Sequence, residues 1–238
     1  MRHLLRAAAF LLFVNVTGAQ ATSVRVAPIL LDVTAPAGAT SLTLRNDEPR
    51  PLNVQIRVFR WTQVNGEDRL DPTTDVVVSP PIANLAKGME YVVRIVRTTP
   101  RPVISEESYR VIVDEIPDLT QRRNGVVNFV MRYSIPVFFA PPITPLPNVV
   151  WSARRVGDSV VVTAVNSGGR RLKISNIKLK NARGGLVANR DGLFGYVLNG
   201  TTMKWSLRGN LKDAPTKSVI ELLGESESGP ITAKIALN

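Results

Sequence analysis

Residues Gly125–Pro141 read GVVNFVMRYSIPVFFAP, and every second residue from Val127 to Phe139 is apolar or aromatic. Such strict alternation predicts a β-strand with one apolar face. At about 3.3 Å per residue this strand would span roughly 43 Å, two to three times the usual length. Because Pro136 has no amide hydrogen, we expect that end of the strand at a sheet edge or where pairing stops. A long apolar edge strand aggregates unless something pairs with it, so the stretch predicts that another polypeptide does so.

The N-terminus predicts a secretory signal peptide at residues 1–21. Arg2 and Arg6 provide the positive start, Leu4–Val16 is an apolar run, and Ala19–Ala21 is an A-x-A cleavage site. The run is too short and wrongly flanked for a membrane span. A buried N-terminal helix is the alternative. No later segment reaches eighteen apolar residues, so we expect no membrane span after cleavage.

Composition argues against most enzyme classes. The 238 residues contain no cysteine, and their formal charge of +11 falls to +9 without the two leader arginines. The single histidine is His3, in the predicted leader, so the mature chain would have neither His nor Cys. This excludes His-dependent nucleophiles, zinc sites built from His or Cys, and His-ligated haem. We expect a protein that is not an enzyme, with no cofactor and no metal, although carboxylate-only chemistry stays open.

An exported chain without cysteine is typical of a bacterial periplasm or surface, because small secreted scaffolds elsewhere depend on disulfides. The basic charge does not indicate nucleic-acid binding, because the chain is exported and its aromatic residues are not interleaved with basic ones. The basic pairs Arg154–Arg155 and Arg170–Arg171 favour steering of acidic partners instead.

The rest of the sequence predicts an all-β protein built from short strands between turn signals. Seven or eight strands precede the linker at a spacing typical of a β-sandwich, among them Leu52–Trp61, Glu90–Arg97 and Ser108–Glu115. Residues 140–148, APPITPLPN, hold four prolines and predict a stiff connector. Further strands follow. We therefore expect a first domain over 22–139 and a smaller sandwich over 149–238.

Four stretches of the first half stand out: RPLNVQIRVFRWTQ (Arg50–Gln63), VVRIVRTTP (Val92–Pro100), SYRVIVDEIP (Ser108–Pro117) and NFVMRYSIPVFFAP (Asn128–Pro141). Together they resemble periplasmic pilus-assembly chaperones of the PapD-like family, and they are closest to the branch that serves Csu-type and spore-coat-protein-U-like fimbriae. The second half is similar only loosely, through NSGGRRLKISNIKL at Asn166–Leu179. The resemblance implies two immunoglobulin-like β-sandwich domains in an L-shaped arrangement.

The resemblance implies donor-strand complementation. Pilus subunits of such systems lack the last strand of their sandwich, and the chaperone lends its own strand before delivering them to an outer-membrane usher. Val127, Phe129 and Met131 match the family's donor positions, with Val126 or Tyr133 extending the set. Burial of four such side chains would contribute about 6–12 kcal/mol before ordering costs. The alternative is that the strand lines its own core.

One departure from the family concerns the anchor for the subunit's C-terminal carboxylate. PapD-like members use an arginine on the first strand and a lysine near the end of the last strand. These positions fall at Leu30 and Pro136, whose side chains cannot bind a carboxylate. Arginine suits a planar carboxylate because it can bind in bidentate geometry. We expect Arg94 first and then Arg97 to take this role, unless they are ordinary solvated charges; the full candidate set is Arg94, Arg97, Arg110 and Arg132.

Other prominent side chains have structural interpretations. Adjacent Asp114 and Glu115 point to opposite faces of a strand and are not an acid–base pair. They are expected either to hold the two domains at their angle through an arginine or to face solvent. Trp61 and Trp151 are expected in half-buried sandwich core rather than in a binding platform.

Two other functional classes stay open. A fimbrial subunit or adhesin of the same sandwich class would lack one strand and carry a free donor extension. A carboxylate-based cell-wall enzyme or glycan-binding module would need two facing acids or an aromatic platform, and the sequence offers neither pattern.

Overall fold

The computed structural model of the chain describes residues 24–117, 130–212 and 214–238. These residues form seventeen strands, and none of them belongs to a helix that could span a bilayer. The prediction of an all-β fold is confirmed. The predicted signal peptide at residues 1–21 lies outside the described residues.

The first ten strands are β1 Val24–Ala27, β2 Leu31–Thr34, β3 Ala39–Asn46, β4 Leu52–Val64, β5 Glu67–Pro72, β6 Val76–Ser79, β7 Ile82–Leu85, β8 Glu90–Arg97, β9 Glu107–Ile116 and β10 Arg132–Ala140. They form one sheet in the order β1-β3-β8-β6 and a second in the order β2-β10-β9-β4-β5, with β7 paired to β4. Alternate residues of both sheets point inward and bury a single apolar core. This is the first sandwich.

The N-terminal segment changes sheets at Pro28. β1 pairs antiparallel with β3, whereas β2 pairs parallel with β10. The sequence predicts a strand that bends at this proline, and the structure confirms the bend. It adds that the two halves belong to different sheets, so that the segment joins both layers of the sandwich.

The remaining strands are β11 Val149–Val156, β12 Ser159–Asn166, β13 Leu172–Asn181, β14 Leu186–Val197, β15 Thr202–Arg208, β16 Val219–Ser226 and β17 Gly229–Ala236. They form a sheet in the order β11-β12-β15 and a sheet in the order β14-β13-β16-β17 around a second apolar core. This is the second sandwich.

The sequence patterns missed two features of these strands. No pattern predicts β5, because its residues are mostly polar and show no alternation. The pattern predicts two short pieces near Leu186 and at Tyr196–Leu198, whereas β14 is one strand. Its pairing with β13 shifts register three times, and Gly192 within it has a φ of 75°. These irregularities break the period of two that marks a strand in a sequence.

An aromatic cluster joins the two sandwiches. Trp61 and Phe138 of the first sandwich contact Tyr196 of the second, with the ring centroids of Trp61 and Tyr196 5.3 Å apart. Leu198 completes the cluster. Trp61 is therefore fully buried between the sandwiches, not half-buried in the core of one. Trp151 is half-buried against the second core, as expected.

Polar contacts reinforce this joint. The Gln63 amide nitrogen donates to the Tyr196 carbonyl at 2.9 Å, and its oxygen accepts from the Leu198 amide at 2.9 Å and the Thr201 hydroxyl at 2.7 Å. Beside it, the turn between β4 and β5 forms a backbone bridge to β15, in which the Lys204 amide donates to the Gly66 carbonyl at 3.1 Å. Gly66 has a φ of 89°, which favours glycine, and a side chain there would also lie 2.9 Å from the Lys204 side chain.

A buried ion pair completes the joint. The Arg171 guanidinium donates to Glu106 at 2.6 Å and to Asp32 at 2.8 Å, and the Arg171 amide also donates to Glu106. The side chains of Arg171 and Glu106 are only 7% and 0% exposed. The expectation that Asp114 and Glu115 hold the domains together is wrong: Asp114 pairs with two arginines of its own sandwich.

Removal of the Glu106 carboxylate tests how much this joint stabilises the fold. Glu106→Ala removes the buried partner of Arg171 and leaves the guanidinium charge buried. We therefore expect the free energy of unfolding to fall by about 3–5 kcal/mol. Glu227→Ala is the control, because Glu227 lies 3.6 Å from the same guanidinium but is 42% exposed, and we expect a change within about 0.5 kcal/mol. Urea unfolding followed by tryptophan fluorescence measures both; equal losses would contradict the assignment.

Candidate subunit-binding edge

Strand β10 has two backbone neighbours over one half and one over the other. It pairs with β9 along its whole length, from Arg132 opposite Asp114 onward. It pairs with β2 only from Val137. Among the described residues, the segment Arg132–Pro136 therefore has an unpaired edge. The expectation that the Pro136 end of the strand lies at an edge is wrong beyond Pro136, because Val137–Phe139 are paired on both sides. The unpaired edge lies before that point, and it leaves backbone groups able to pair with an added strand.

The two ends of the alternating stretch have different surroundings. Ile135, Val137 and Phe139 are at most 3% exposed and line the first core. Met131, just before β10, is 38% exposed. Its carbonyl accepts from the Glu115 amide at 3.0 Å, so its backbone continues along β9. Own-core packing thus accounts for the C-terminal half of the stretch but not for Met131.

The four predicted donor residues fall in three situations. Val127 and Phe129 lie outside the described residues, as does Val126. Met131 is exposed and lies one residue before the start of β10. Tyr133 is half-buried against the first core, and its hydroxyl donates to the Val24 carbonyl on β1. Burial raises the pKa of Tyr133, which keeps the hydroxyl protonated as a donor.

The opposite face of β10 is also buried at its C-terminal end. Phe138, which points away from the first core, is 0% exposed in the aromatic cluster between the sandwiches. The Arg171 guanidinium stacks 3.7 Å from its ring centroid. The expectation of a single apolar face is therefore wrong at this end, because the second sandwich covers the other side of the strand.

Arg97, one of the expected anchors, is engaged within the first sandwich. Its guanidinium makes a bidentate pair with Glu107, at 2.8 and 2.7 Å, and also donates to the carbonyls of Thr99 and Arg101. Tyr109 donates to the same carboxylate at 3.1 Å. With 8% of its side chain exposed, Arg97 is a structural partner of Glu107.

Arg94 and Arg132 lie on opposite sheets. Arg94 is exposed on β8, opposite Ser41 and Ser79, in the sheet that does not contain β10. Arg132 begins β10 and pairs with Asp114, which also pairs with Arg57 at 2.6 Å. The structure therefore does not bring Arg94, Arg97 and Arg132 together into one site.

Arg110 occupies the corner where the open edge meets the joint. It lies opposite Pro136 on β9, and its guanidinium stacks 3.7 Å from the Trp61 ring centroid and 5.5 Å from that of Tyr196. Its remaining polar contact is a long one, 3.5 Å to the Ser134 carbonyl. Burial lowers the pKa of Arg110, and the charge of Asp68 opposes this. No carboxylate of the described residues lies within ion-pair distance of it.

The described residues contain no group of three or more acidic, histidine or cysteine side chains that could hold a metal ion. The two acidic residues of β9 next to the open edge, Asp114 and Glu115, have protein partners: Asp114 pairs with arginines and Glu115 accepts from the Met131 amide. Asp114 is held by Arg57 and Arg132, and these hydrogen bonds keep its pKa below the usual value although burial acts in the opposite direction. The site offers backbone groups and apolar side chains, which suits binding of a strand.

Comparison with protein-family models shows which family the chain belongs to. The N-terminal domain of PapD, a pili and flagellar-assembly chaperone, matches residues 23–144, slightly more than half of the sequence. The chain belongs to this chaperone family. The prediction of a PapD-like protein is confirmed. A search of curated proteins returns no match.

Solved structures extend the likeness over both sandwiches. A chain of the CsuC–CsuE complex of chaperone and tip adhesion subunit, from the archaic Csu pili of Acinetobacter baumannii, is 26% identical with a TM-score of 0.69. The match covers 91% of this chain and 99% of that one. The expected closeness to the Csu-type branch is confirmed.

Two more distant structures share the fold. The E. coli chaperone DraB is 20% identical with a TM-score of 0.57, over 91% of this chain and 96% of that one. A chain of the Salmonella enterica SafA pilin–SafB chaperone complex is 18% identical with a TM-score of 0.59, over 89% and 96%. The protein is a chaperone of pilus assembly.

Sequence reasoning missed the residues that set this site's geometry. Gln63, Glu106 and Arg171 join the sandwiches through contacts between residues 65 to 139 positions apart. No local pattern marks such pairs, because their partners are adjacent only in the folded chain. The one available signal was charge: Arg170–Arg171 stood out as a basic pair, and one of its members proved to be buried.

Arg97 and Glu107 predict an acid-sensitive step in stability. Burial raises the pKa of Glu107, but the hydrogen bonds from Arg97 and Tyr109 and the charges of Arg97 and Arg60 together outweigh it, and the pKa lies below its usual 4.5. The carboxylate therefore stabilises the fold fully above about pH 4.5 and progressively less as the pH falls through the lower folded value. We expect Glu107→Gln to be less stable at pH 7 and to lose less stability on acidification, measured by urea unfolding between about pH 3 and 7.

The matched control is Glu90→Gln, because Glu90 is exposed and lies 3.6 Å from Arg45. Its stability profile should follow that of the unmodified chain. If Glu107→Gln retained the full acid sensitivity, the pairing with Arg97 would not be the source of it.

Proposed function

We propose that this protein is a periplasmic chaperone that caps pilus subunits by lending them β10 and the residues before it, and that it delivers them to an outer-membrane usher. The observation that carries the proposal is the unpaired backbone edge at Arg132–Pro136. An incomplete sandwich can satisfy its own open edge by pairing there. The membership in a pilus-chaperone family supports the same conclusion.

The position of β1 supports docking at this edge. β1 is an edge strand of the opposite sheet, and the Tyr133 hydroxyl connects it to β10. Two sheet edges therefore lie on the same side of the first sandwich. A subunit approaching this side meets unpaired backbone groups from both layers.

Parity of the side chains supports the donor assignment. Val127, Phe129 and Met131 share the face of Tyr133 and Ile135 if the extended backbone at Met131 continues, because side chains alternate along a strand. Ile135 fills this protein's own core, while Met131 extends past it. The same face would thus fill two cores in succession, its own and that of the subunit.

For the subunit's C-terminal carboxylate we propose Arg110 as the anchor. A guanidinium stacked on Trp61, half-buried and without a carboxylate partner among the described residues, has a desolvation cost that an arriving carboxylate would offset. Arg97 is already paired and Arg94 is on the other sheet. Arg110 was a candidate from sequence but not the preferred one.

The domain organisation belongs to the same proposal. Residues 1–21 would be a cleaved signal peptide that directs the chain to the periplasm. The N-terminal chaperone domain would span 22–139, the linker 140–148 and the C-terminal domain 149–238. Two separate apolar cores and the four prolines between them support this division.

Truncation of the donor side chains tests subunit capture. We expect Phe129→Ala with Met131→Ala to reduce co-purification of the co-expressed subunit at least tenfold, because about 3–6 kcal/mol of apolar burial is lost. The control is Val77→Ala with Val92→Ala, two exposed residues of the sheet without β10, which should retain normal capture. Unchanged capture by the donor variant, with an unchanged thermal midpoint, would refute donation.

Substitution of the arginine tests the anchor. We expect Arg110→Gln to weaken capture of a subunit with a free C-terminus by about 2–5 kcal/mol, because a buried charge pair loses one member. Arg94→Gln serves as the matched control and should bind normally. Amidation of the C-terminus of a synthetic subunit segment should reproduce the loss in the unmodified chaperone and add nothing in Arg110→Gln. If the losses in binding free energy from Arg110→Gln and from C-terminal amidation were additive, the carboxylate would bind at a site other than Arg110.

A further inference from the structure

The outward face of the β11-β12-β15 sheet has an unusual composition. The register of the three strands places twelve residues on this side, in four rows. None of the twelve is acidic or aromatic, four are valines and three are cationic. We call it the basic face; its rows are Val150, Val165 and Thr202; Ser152, Thr163 and Lys204; Arg154, Val161 and Ser206; and Val156, Ser159 and Arg208.

The valines of the basic face are open to solvent. Val150, Val156 and Val165 are 66%, 46% and 43% exposed. Val150 and Val165 are neighbours at one end of the face, whereas Val156 lies at the other end with Ser152 and Arg154 in between. Exposed valines spread in this way are ordinary on a protein surface, so the charge pattern, rather than the valines, distinguishes this face.

The cations of the basic face lack ionic partners within the described part of the chain. Arg154, Lys204 and Arg208 do not come within ion-pair distance of any described carboxylate. Asp158, in the adjoining β11–β12 turn, is the acidic residue next to the face in sequence. With strands about 4.8 Å apart and a rise of about 3.3 Å per residue, the three cations form a triangle with sides of roughly 12–13 Å.

The other sheet of the second sandwich differs in this respect. On its outward side Lys180 lies opposite Glu221, and Glu221 lies opposite Lys234 on the next strand. Charges of both signs therefore alternate there, as on an ordinary solvated sheet. The absence of acids from the basic face is a local feature, and it does not follow simply from the net charge of the chain.

From this placement we infer that the basic face docks a folded protein whose contact surface is acidic. One sheet face can pack against another, and a one-sign charge pattern selects the opposite sign on the partner. A membrane is a poorer fit, because valine side chains are too short to insert and no aromatic residue accompanies them. This surface is distinct from the donor edge, so it is available for a second partner.

Photo-crosslinking in cells that express the complete chaperone gene cluster tests the inference. The probe is p-benzoyl-phenylalanine in place of Ser152, at the centre of the β11 side of the face, in the full-length chain. The control probe replaces Thr232, which is exposed on the opposite sheet. We expect a discrete protein adduct from position 152 that position 232 does not give, and a peptide map that places the contact on an acidic surface of the partner.

Charge reversal decides whether the contact is electrostatic. Arg154→Glu, Lys204→Glu and Arg208→Glu together should reduce the adduct at least tenfold. Lys178→Glu, Lys180→Glu and Lys234→Glu, with the same change in net charge, should leave it unchanged. Reversal of the mapped partner acids to lysine should restore the adduct in the first triple variant. Subunit co-purification should stay normal in both, which separates this result from failure of the donor edge.

The inference is overturned by any of four results: no adduct above the position-232 control, an adduct that persists in the first triple variant, an adduct made with lipid or lipopolysaccharide, or failure of the partner's charge reversal to restore the contact. A thermal unfolding curve of each triple variant establishes that the fold is intact.

Discussion

Strand β10 has backbone partners on both sides after Pro136 and on one side before it. Buried backbone N–H and C=O groups must find hydrogen-bond partners. A strand edge that carries large apolar side chains aggregates unless another segment covers it. β2 covers one half from within the chain. The other half has no backbone partner on that side among the described residues, and under the proposed function a pilus subunit pairs there.

The joint between the sandwiches holds the C-terminal end of β10 in place. Phe138 fixes its C-terminal end from the second sandwich, while Val137 and Phe139 fix it from the first. Around this point, Arg171 and Gln63 hold the two bodies through buried hydrogen bonds. Because both faces of β10 are packed near residue 138, the register of the strand is set there. The same register then applies to the exposed end near residue 131.

Electrostatics divides the arginines by role. Arg97 has a partly buried carboxylate partner and Arg171 a fully buried one, and both pairs lie within the folded chain. Arg110 has aromatic neighbours but no described carboxylate within ion-pair distance. In the sequence these residues look alike, since each is an arginine near apolar or aromatic residues. Their difference depends on which acid the fold brings within hydrogen-bond distance.

Alternation and proline are local properties of the chain, so they were enough to predict the all-β class, most strand positions and the unusual character of the stretch 125–141. Local segments such as Arg50–Gln63 also carried the resemblance to pilus chaperones. The open side of β10 before Pro136, the position of Trp61 between the sandwiches and the pairing of Arg97 with Glu107 are visible only in the folded chain. These facts depend on contacts between distant segments, and periodicity within one segment contains no information about which strand becomes its neighbour.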